Sequence, residues 1–212
     1  MLIIEKSVKN SIKYSKKLEN IPKTIILKVN RVTHFLLATK FLLDSFIYNK
    51  TVALFKGGRT MSTEKYSAGK IAEWFLAYNR NVMAEEDAEY ISNLKLQKLL
   101  YYAQGTYLAI TGHELFNEPI LAWKHGPVVN SVYQEYKENK ANGIVYEKPF
   151  DFNEFDPETE NILEEVYDCF GQYSAWKLRN MTHSEEPWIS TDINEVISND
   201  KIKDYFKREY IE

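Results

Sequence analysis

The residues able to do chemistry are few and scattered. The histidines are His34, His113, His125 and His183, and Cys169 is the lone cysteine. A structural zinc site draws four Cys or His ligands, with pairs at short, fixed spacing. No HxxxH or HExxH pair occurs and Cys169 has no partner cysteine, so no metal is expected. A phosphate cradle needs clustered glycines whose amides point at the anion. Gly57-Gly58 lacks that spacing, and Gly126 is followed by Pro127, which has no amide to offer. No cofactor is expected. No GxSxG elbow presents a serine nucleophile, although composition alone does not exclude a triad of dispersed residues. Glu185-Glu186 beside His183 is the one acid–base combination. Its plainer reading is a carboxylate near a helix end with a histidine bonded to backbone. Catalysis is therefore not expected.

Aromatic residues carry more information. Tyr, Phe and Trp number 15, 11 and 4, and such side chains anchor both cores and protein interfaces. Tyr101 and Tyr102 are adjacent on a helical stretch, so they point at different neighbours. One belongs to the core and the other is expected to be partly free. Trp123 precedes Lys124-His125-Gly126-Pro127, and Trp188 follows Pro187. Both indoles either pin loops to the core or serve as rigid anchors for a partner.

The elements that must position these residues read as mainly helical. Ser67 to Asn79 predicts a helix with Ile71, Trp74, Phe75 and Tyr78 inward and Ser67 as its cap. A polar connection, Asn81 to Tyr90, follows. Ser92 or Asn93 then caps the longest apolar-periodic run, which Gly112 stops. Leu96, Leu99, Leu100, Ala103 and Tyr107 share one face of it. Gly105 inside this helix costs ~1 kcal/mol against Ala, which marks either a close helix crossing or a tolerated flaw. Leu115 to Trp123 reads as extended, with Pro119 at an edge. Gly126-Pro127 is expected to open a helix with Val129, Val132, Tyr133 and Tyr136 inward. Asn142-Gly143 signals a turn and places one small hairpin there. Asp156-Pro157 starts a helix that Gly171 ends, with Ile162, Leu163, Val166, Tyr167 and Phe170 inward. Ser174 caps a short helix through Met181. Thr182 to Trp188 reads as a turn fixed by Pro187. Asn199 to Tyr210 forms the last helix, with Ile202, Tyr205 and Phe206 on one face.

Composition then divides the 212 residues in two. Residues 1–60 hold 12 basic and 3 acidic side chains, while residues 61–212 hold 15 and 27, a balance of -12. The first segment reads as a basic N-terminal extension. Its apolar stretch 31–48 has helical spacing, but Lys40 and Asp44 would each cost ~2.5–3.5 kcal/mol near a bilayer centre, so no membrane span is expected. Lys56-Gly57-Gly58 can be encoded as a ribosome-binding sequence two codons before Met61. The expectation is that the functional protein starts at Met61. The second segment, 61–212, is long enough for one core. Its acidity argues against a grip on nucleic acid, which needs clustered Lys and Arg. The expected fold is a single mainly α domain with at most a small β-hairpin. With one cysteine and no secretory signal, the expected setting is the cytoplasm.

Three blocks of residues resemble a known family. They are Asn93-Leu94-Lys95-Leu96-Gln97-Lys98-Leu99-Leu100-Tyr101-Tyr102-Ala103-Gln104-Gly105, then Ala122-Trp123-Lys124-His125-Gly126-Pro127-Val128-Val129 with Tyr133, then Met181-Thr182-His183 with Glu186-Pro187-Trp188. In this order they resemble the Panacea domain of SocA-like antitoxins, also known as phage-associated GepA-like proteins. Ile202 to Phe206 fits the end of the pattern, and the resemblance covers about residues 66–208. It implies a bacterial, non-enzymatic antitoxin that binds a cognate toxin protein, encoded by the adjacent gene, and neutralises it. It also leaves room for a proteolytic adaptor that delivers the toxin to a protease. A DNA-binding autoregulator using the basic extension is a further alternative. Lys95, Gln97, Tyr101, Trp123, Lys124, His125, His183 and Trp188 are the expected contact residues, or the polar network that shapes the contact surface. Gly105, Gly126, Pro127 and Pro187 are the expected structural positions of the motif.

Overall fold

Helix α2 (Asn93–Thr111) is buried on every side from Leu96 to Ala109. The computed structural model describes residues 66–85 and 88–211. The expectations for residues 1–60, and for Met61 as a start, lie outside the described residues. Ser92 caps α2 by accepting from the Lys95 amide, and Gly112 ends it at φ 78°, where its amide reaches the Leu108 carbonyl. A left-handed residue at that position is the usual place for glycine.

Five helices and the hairpin pack around this axis. Helix α1 (Ala68–Glu85) starts at Ser67, whose hydroxyl accepts from the Lys70 amide. It runs past Asn79 to Glu85, because no glycine or proline interrupts the polar stretch that reads as a connection. Helix α3 (Asn130–Tyr136) is short. Helix α4 (Pro157–Phe170) buries Ile162, Leu163, Val166, Tyr167 and Phe170. Helix α5 (Ala175–Thr182) is capped by Ser174. A single turn, α6 (Glu186–Ile189), lies within the stretch that reads as a loop, and Pro187 occupies its first turn. Helix α7 (Asn199–Phe206) does not continue regularly to Tyr210; it widens into a π turn over Lys207–Ile211.

Gly105 is a close crossing. A Cβ built there would lie 2.4 Å from the Phe206 ring of α7. The missing side chain lets the Phe206 ring lie against the α2 backbone.

The β element departs from the expected order. Gly126-Pro127 opens a strand, not a helix. Strand β1 (Ile120–Trp123) pairs antiparallel with β2 (Gly126–Val129), in register Ile120↔Val129 to Trp123↔Gly126, around Lys124-His125. Gly126 sits at φ 95°, a conformation that a non-glycine residue enters only at a cost. Pro127 is tolerated because β2 is an edge strand. Asn142-Gly143 makes no hairpin of its own: Gly143 bridges Ser92, and the Ile144 amide donates to the Ile91 carbonyl. On the other side of β1, Val196 bridges Leu121, and the Ile197 amide donates to the Ile120 carbonyl at 2.8 Å.

Asp156 secures the start of α4. Its carboxylate accepts from the amides of Glu158 and Thr159, the Thr159 hydroxyl and the Tyr66 hydroxyl. Asp156→Ala is expected to lower unfolding free energy by about 1–2 kcal/mol, the usual range for a lost cap. Urea denaturation measures it.

Among the described residues, no helix is long and apolar enough to cross a membrane.

Candidate partner-binding face

The expected motif residues separate into an interior set and a surface set. The interior set begins with the polar side chains of α2. Asn93, Gln97 and Gln104 are all buried. Gln97 donates to the Asn93 side chain and accepts from the Val129 amide at 2.8 Å. Asn93 donates to the Tyr133 carbonyl. Gln104 donates to the Phe116 carbonyl and accepts from the amides of Leu115 and Phe116. These amides and carbonyls belong to a loop, a strand end and the short helix α3, where regular partners are incomplete. Buried backbone groups require such partners, so the helix supplies them. Lys95 does the same at the end of α4, where its ammonium donates to the Gly171 carbonyl. Burial holds the Lys95 ammonium below the ordinary lysine range.

Tyr101 and Tyr102 are both 0% exposed. The expectation that one of them is partly free does not hold, because α2 is enclosed all round. Tyr102 stacks on Phe170 with centroids 3.8 Å apart, and Tyr101 meets Phe206 edge-on. Glu185, a buried carboxylate, receives the hydroxyls of Tyr102 and Tyr210. Tyr102 donates to it at 2.8 Å and Tyr210, from the π turn, at 2.9 Å. Burial pushes the Glu185 carboxyl up, and the tyrosine hydroxyls pull it partway back. Glu185 therefore ties α2, α6 and the C-terminal turn together.

The surface set gathers around the hairpin. Lys124 and His125, the two turn residues, are exposed. Trp123 is half-buried and meets Tyr133 edge-on at 5.0 Å. The Trp188 indole donates to the Trp123 carbonyl at 3.0 Å, and the His183 ring stacks on Trp188 with centroids 3.8 Å apart. One structure thus brings together Trp123, Lys124, His125, His183 and Trp188, while Gln97 and Tyr101 lie within the packed interior and Lys95 is half-buried against the end of α4. Pro187 is buried beneath the face, and its carbonyl accepts from the Thr191 hydroxyl.

Two participants were not singled out by the sequence. Trp176 is 61% exposed on α5, with its ring edge-on to His125 and below the Arg179 guanidinium. It lies off the inward stripe of Leu178 and Thr182, and that offset is the signal that could have marked it. Lys98 is 0% exposed and donates to the Pro127 carbonyl at 2.8 Å. Nothing in type or spacing distinguishes it from Lys95. Burial, then the nearby Arg179, pushes the Lys98 ammonium down to about 7. His183 is pushed down to about 4 by burial and by Arg179, Lys98 and His125, so its imidazole is neutral at pH 7. Ile189, Ile193 and Val196 continue the exposed apolar surface.

The segment from α2 to α6 matches a family model described as "Antitoxin SocA-like, Panacea domain" over residues 96–189. Residues 96–189 are thus similar to the Panacea domain of SocA-like antitoxins. Antitoxin SocA of Caulobacter vibrioides (strain NA1000 / CB15N) is 47% identical over 55 residues, 26% of this chain and 29% of that protein. The aligned stretch thus spans well under half of that relative. No solved structure matches. The matched segment contains α2 from Leu96 onward, the hairpin, Trp176, His183 and Trp188 together. Among the described residues, no three His, Cys, Asp or Glu side chains are grouped to hold a metal ion.

Proposed function

We propose that this protein is an antitoxin that neutralises a toxin protein by direct binding, and that the hairpin face is the binding surface. The observation that carries the reading is a coincidence of place. Within the segment matched to antitoxins, a half-buried aromatic base of Trp123 and Trp188 supports exposed Lys124, His125, Trp176 and Ile189. Rigid aromatic anchors with charged neighbours are the usual centre of a protein interface. The rest of residues 61–212 is strongly acidic, which favours encounter with a basic partner through steering. The toxin is the product of the neighbouring gene, and the action is masking, with no chemical step.

The test is growth rescue. The neighbouring reading frame is induced with and without this protein. Rescue supports the reading, and a toxic neighbour that the protein fails to rescue overturns it. Trp176→Ala is expected to weaken toxin binding by about 30-fold, the effect of a ~2 kcal/mol anchor, and to abolish rescue. Its melting temperature should stay within a degree or two of the parent, because the indole stands mostly in solvent.

A further inference from the structure

Beneath the same face lies a group of basic side chains with no acid among them. Lys98 from α2 and Thr182 from α5 meet at Gly126, the Thr182 hydroxyl donates to the Arg179 carbonyl at 3.0 Å, and His183 follows Thr182 directly in the chain. Gly126 is the floor. A Cβ placed there would lie 2.9 Å from the Lys98 Nζ and 2.8 Å from the Thr182 Oγ1. The group runs outward through Arg179, whose guanidinium lies 5.9 Å from the Trp176 ring, to His125, edge-on to that ring at 6.1 Å.

The hydrogen bonding of this group is incomplete. Lys98 uses one of its three donors, on the Pro127 carbonyl. Arg179 bonds the Asn180 side chain through Nη1, but its Nε is buried without an acceptor among the described residues. The His183 Nε2 is likewise buried and unpaired. Buried polar atoms are nearly always satisfied, and a buried charge is normally paired. An ordinary structural lysine or arginine in such a place would face Asp or Glu. Here the groups acting on His183 are Arg179, Lys98 and His125, all basic side chains.

We propose that Lys98, Arg179 and His183 form a socket for one carboxylate of the partner protein, an Asp or Glu side chain that enters between His125 and Trp176. The inference rests on the proposed antitoxin reading only for the source of the carboxylate. A carboxylate accepts from several donors at once, and Arg pairs with it through two parallel bonds. The aromatic rings of Trp176 and Trp188 would exclude water around it. The acidic remainder of the domain explains why one carboxylate, not an acidic tract, is the fitting ligand. A nucleic acid would meet that acidity along its whole backbone, and the socket is too small to offset it.

The experiment uses the full chain with labelled histidine. Sodium acetate is the probe, exchanged for sodium chloride at constant ionic strength and pH 7, with the His183 ring signals followed by NMR. The expected result is a saturable shift with acetate, weakened about tenfold or more in Arg179→Gln, the loss of one charge-assisted bond. His183→Gln, read from the Trp188 indole signal, is the second variant if Arg179→Gln fails to fold. No saturable shift, or the same affinity in a folded Arg179→Gln protein, overturns the socket. Tighter binding of inorganic phosphate than of acetate overturns the carboxylate assignment. With the toxin in hand, double-mutant cycles between Arg179→Gln and each toxin Asp→Asn or Glu→Gln change should find one coupled pair, and finding none overturns the partner's role. Because the acetate titration needs no toxin, failed growth rescue and failed acetate binding are separate results.

Discussion

Gly105→Ala is expected to destabilise the domain by about 2 kcal/mol or more, although the same change in an exposed helix would stabilise it by about 1 kcal/mol. The opposite sign comes from Phe206. Three atoms of its ring stand 2.4–2.5 Å from where the new methyl group would be. The ring has no free direction to move, since Tyr101, Tyr102, Tyr205 and Tyr210 surround it with centroids 4.9–6.0 Å away. Inserting a methyl group into a closed core typically costs about 1–3 kcal/mol, and a backbone-to-ring contact this short belongs at the top of that range. Urea denaturation should show a lower midpoint with an unchanged slope. Adding Phe206→Leu should recover part of the loss, because the two changes share one space. A Gly105→Ala protein as stable as its parent would remove the close crossing from the account of the fold.

The second large effect is a rise in stability between pH 7 and pH 9. In the unfolded chain Lys98 titrates near 10.5, and in the folded protein burial and Arg179 bring it to about 7. Below 10.5 the unfolded chain takes a proton that the folded protein refuses until about 7. Stability therefore falls as the pH is lowered through that window, and below it the difference is constant. The linkage slope is about 1 kcal/mol per pH unit, so about 2 kcal/mol separates pH 9 from pH 7. Lys95, also held low by burial, adds to the trend in the same direction, so the Lys98 share is read from the difference between the parent and Lys98→Met. His183 completes its titration well below it. Cys169, raised by burial to about 11, and the buried tyrosines oppose the trend only near and above its upper end. Lys98→Met should flatten the profile whatever it does to stability at pH 7. A parent protein with a flat profile would mean that Lys98 is not held uncharged by the fold.

Where a signal was local, it was legible in the sequence. Ser67, Ser92, Asp156, Ser174 and Gly112 mark helix ends through their own side chains or backbone, and each does so in the structure. The inward stripe of α4 was equally plain, because one face meets water. Helix α2 hid its role because no face of it does. Leu96, Leu99 and Leu100 announce one buried side, but nothing in the pattern tells that Gln97, Lys98 and Tyr101 are buried as well. The hairpin was misplaced for a related reason. Gly126-Pro127 is a good helix start when only neighbours in sequence are considered. Its strand conformation depends on β1 and on the Lys98 ammonium, which holds the Pro127 carbonyl from 29 residues away. The face itself was half legible. Trp123, His125, His183 and Trp188 stood out by type, while Arg179 and Trp176 joined them only through the placement of α5 against the hairpin.

The bridge between Leu121 and Val196 has a consequence for how this domain folds. It closes a chain loop that contains α3 through α6, so the second neighbour of β1 comes from far along the chain. Speed of folding follows the sequence separation of contacts more than the amount of helix, and long loops must be closed before their contacts repay the lost chain entropy. A domain that is mostly helix thus carries a sheet-like kinetic step, and the surface patch at Val196 is assembled among the last parts of the molecule.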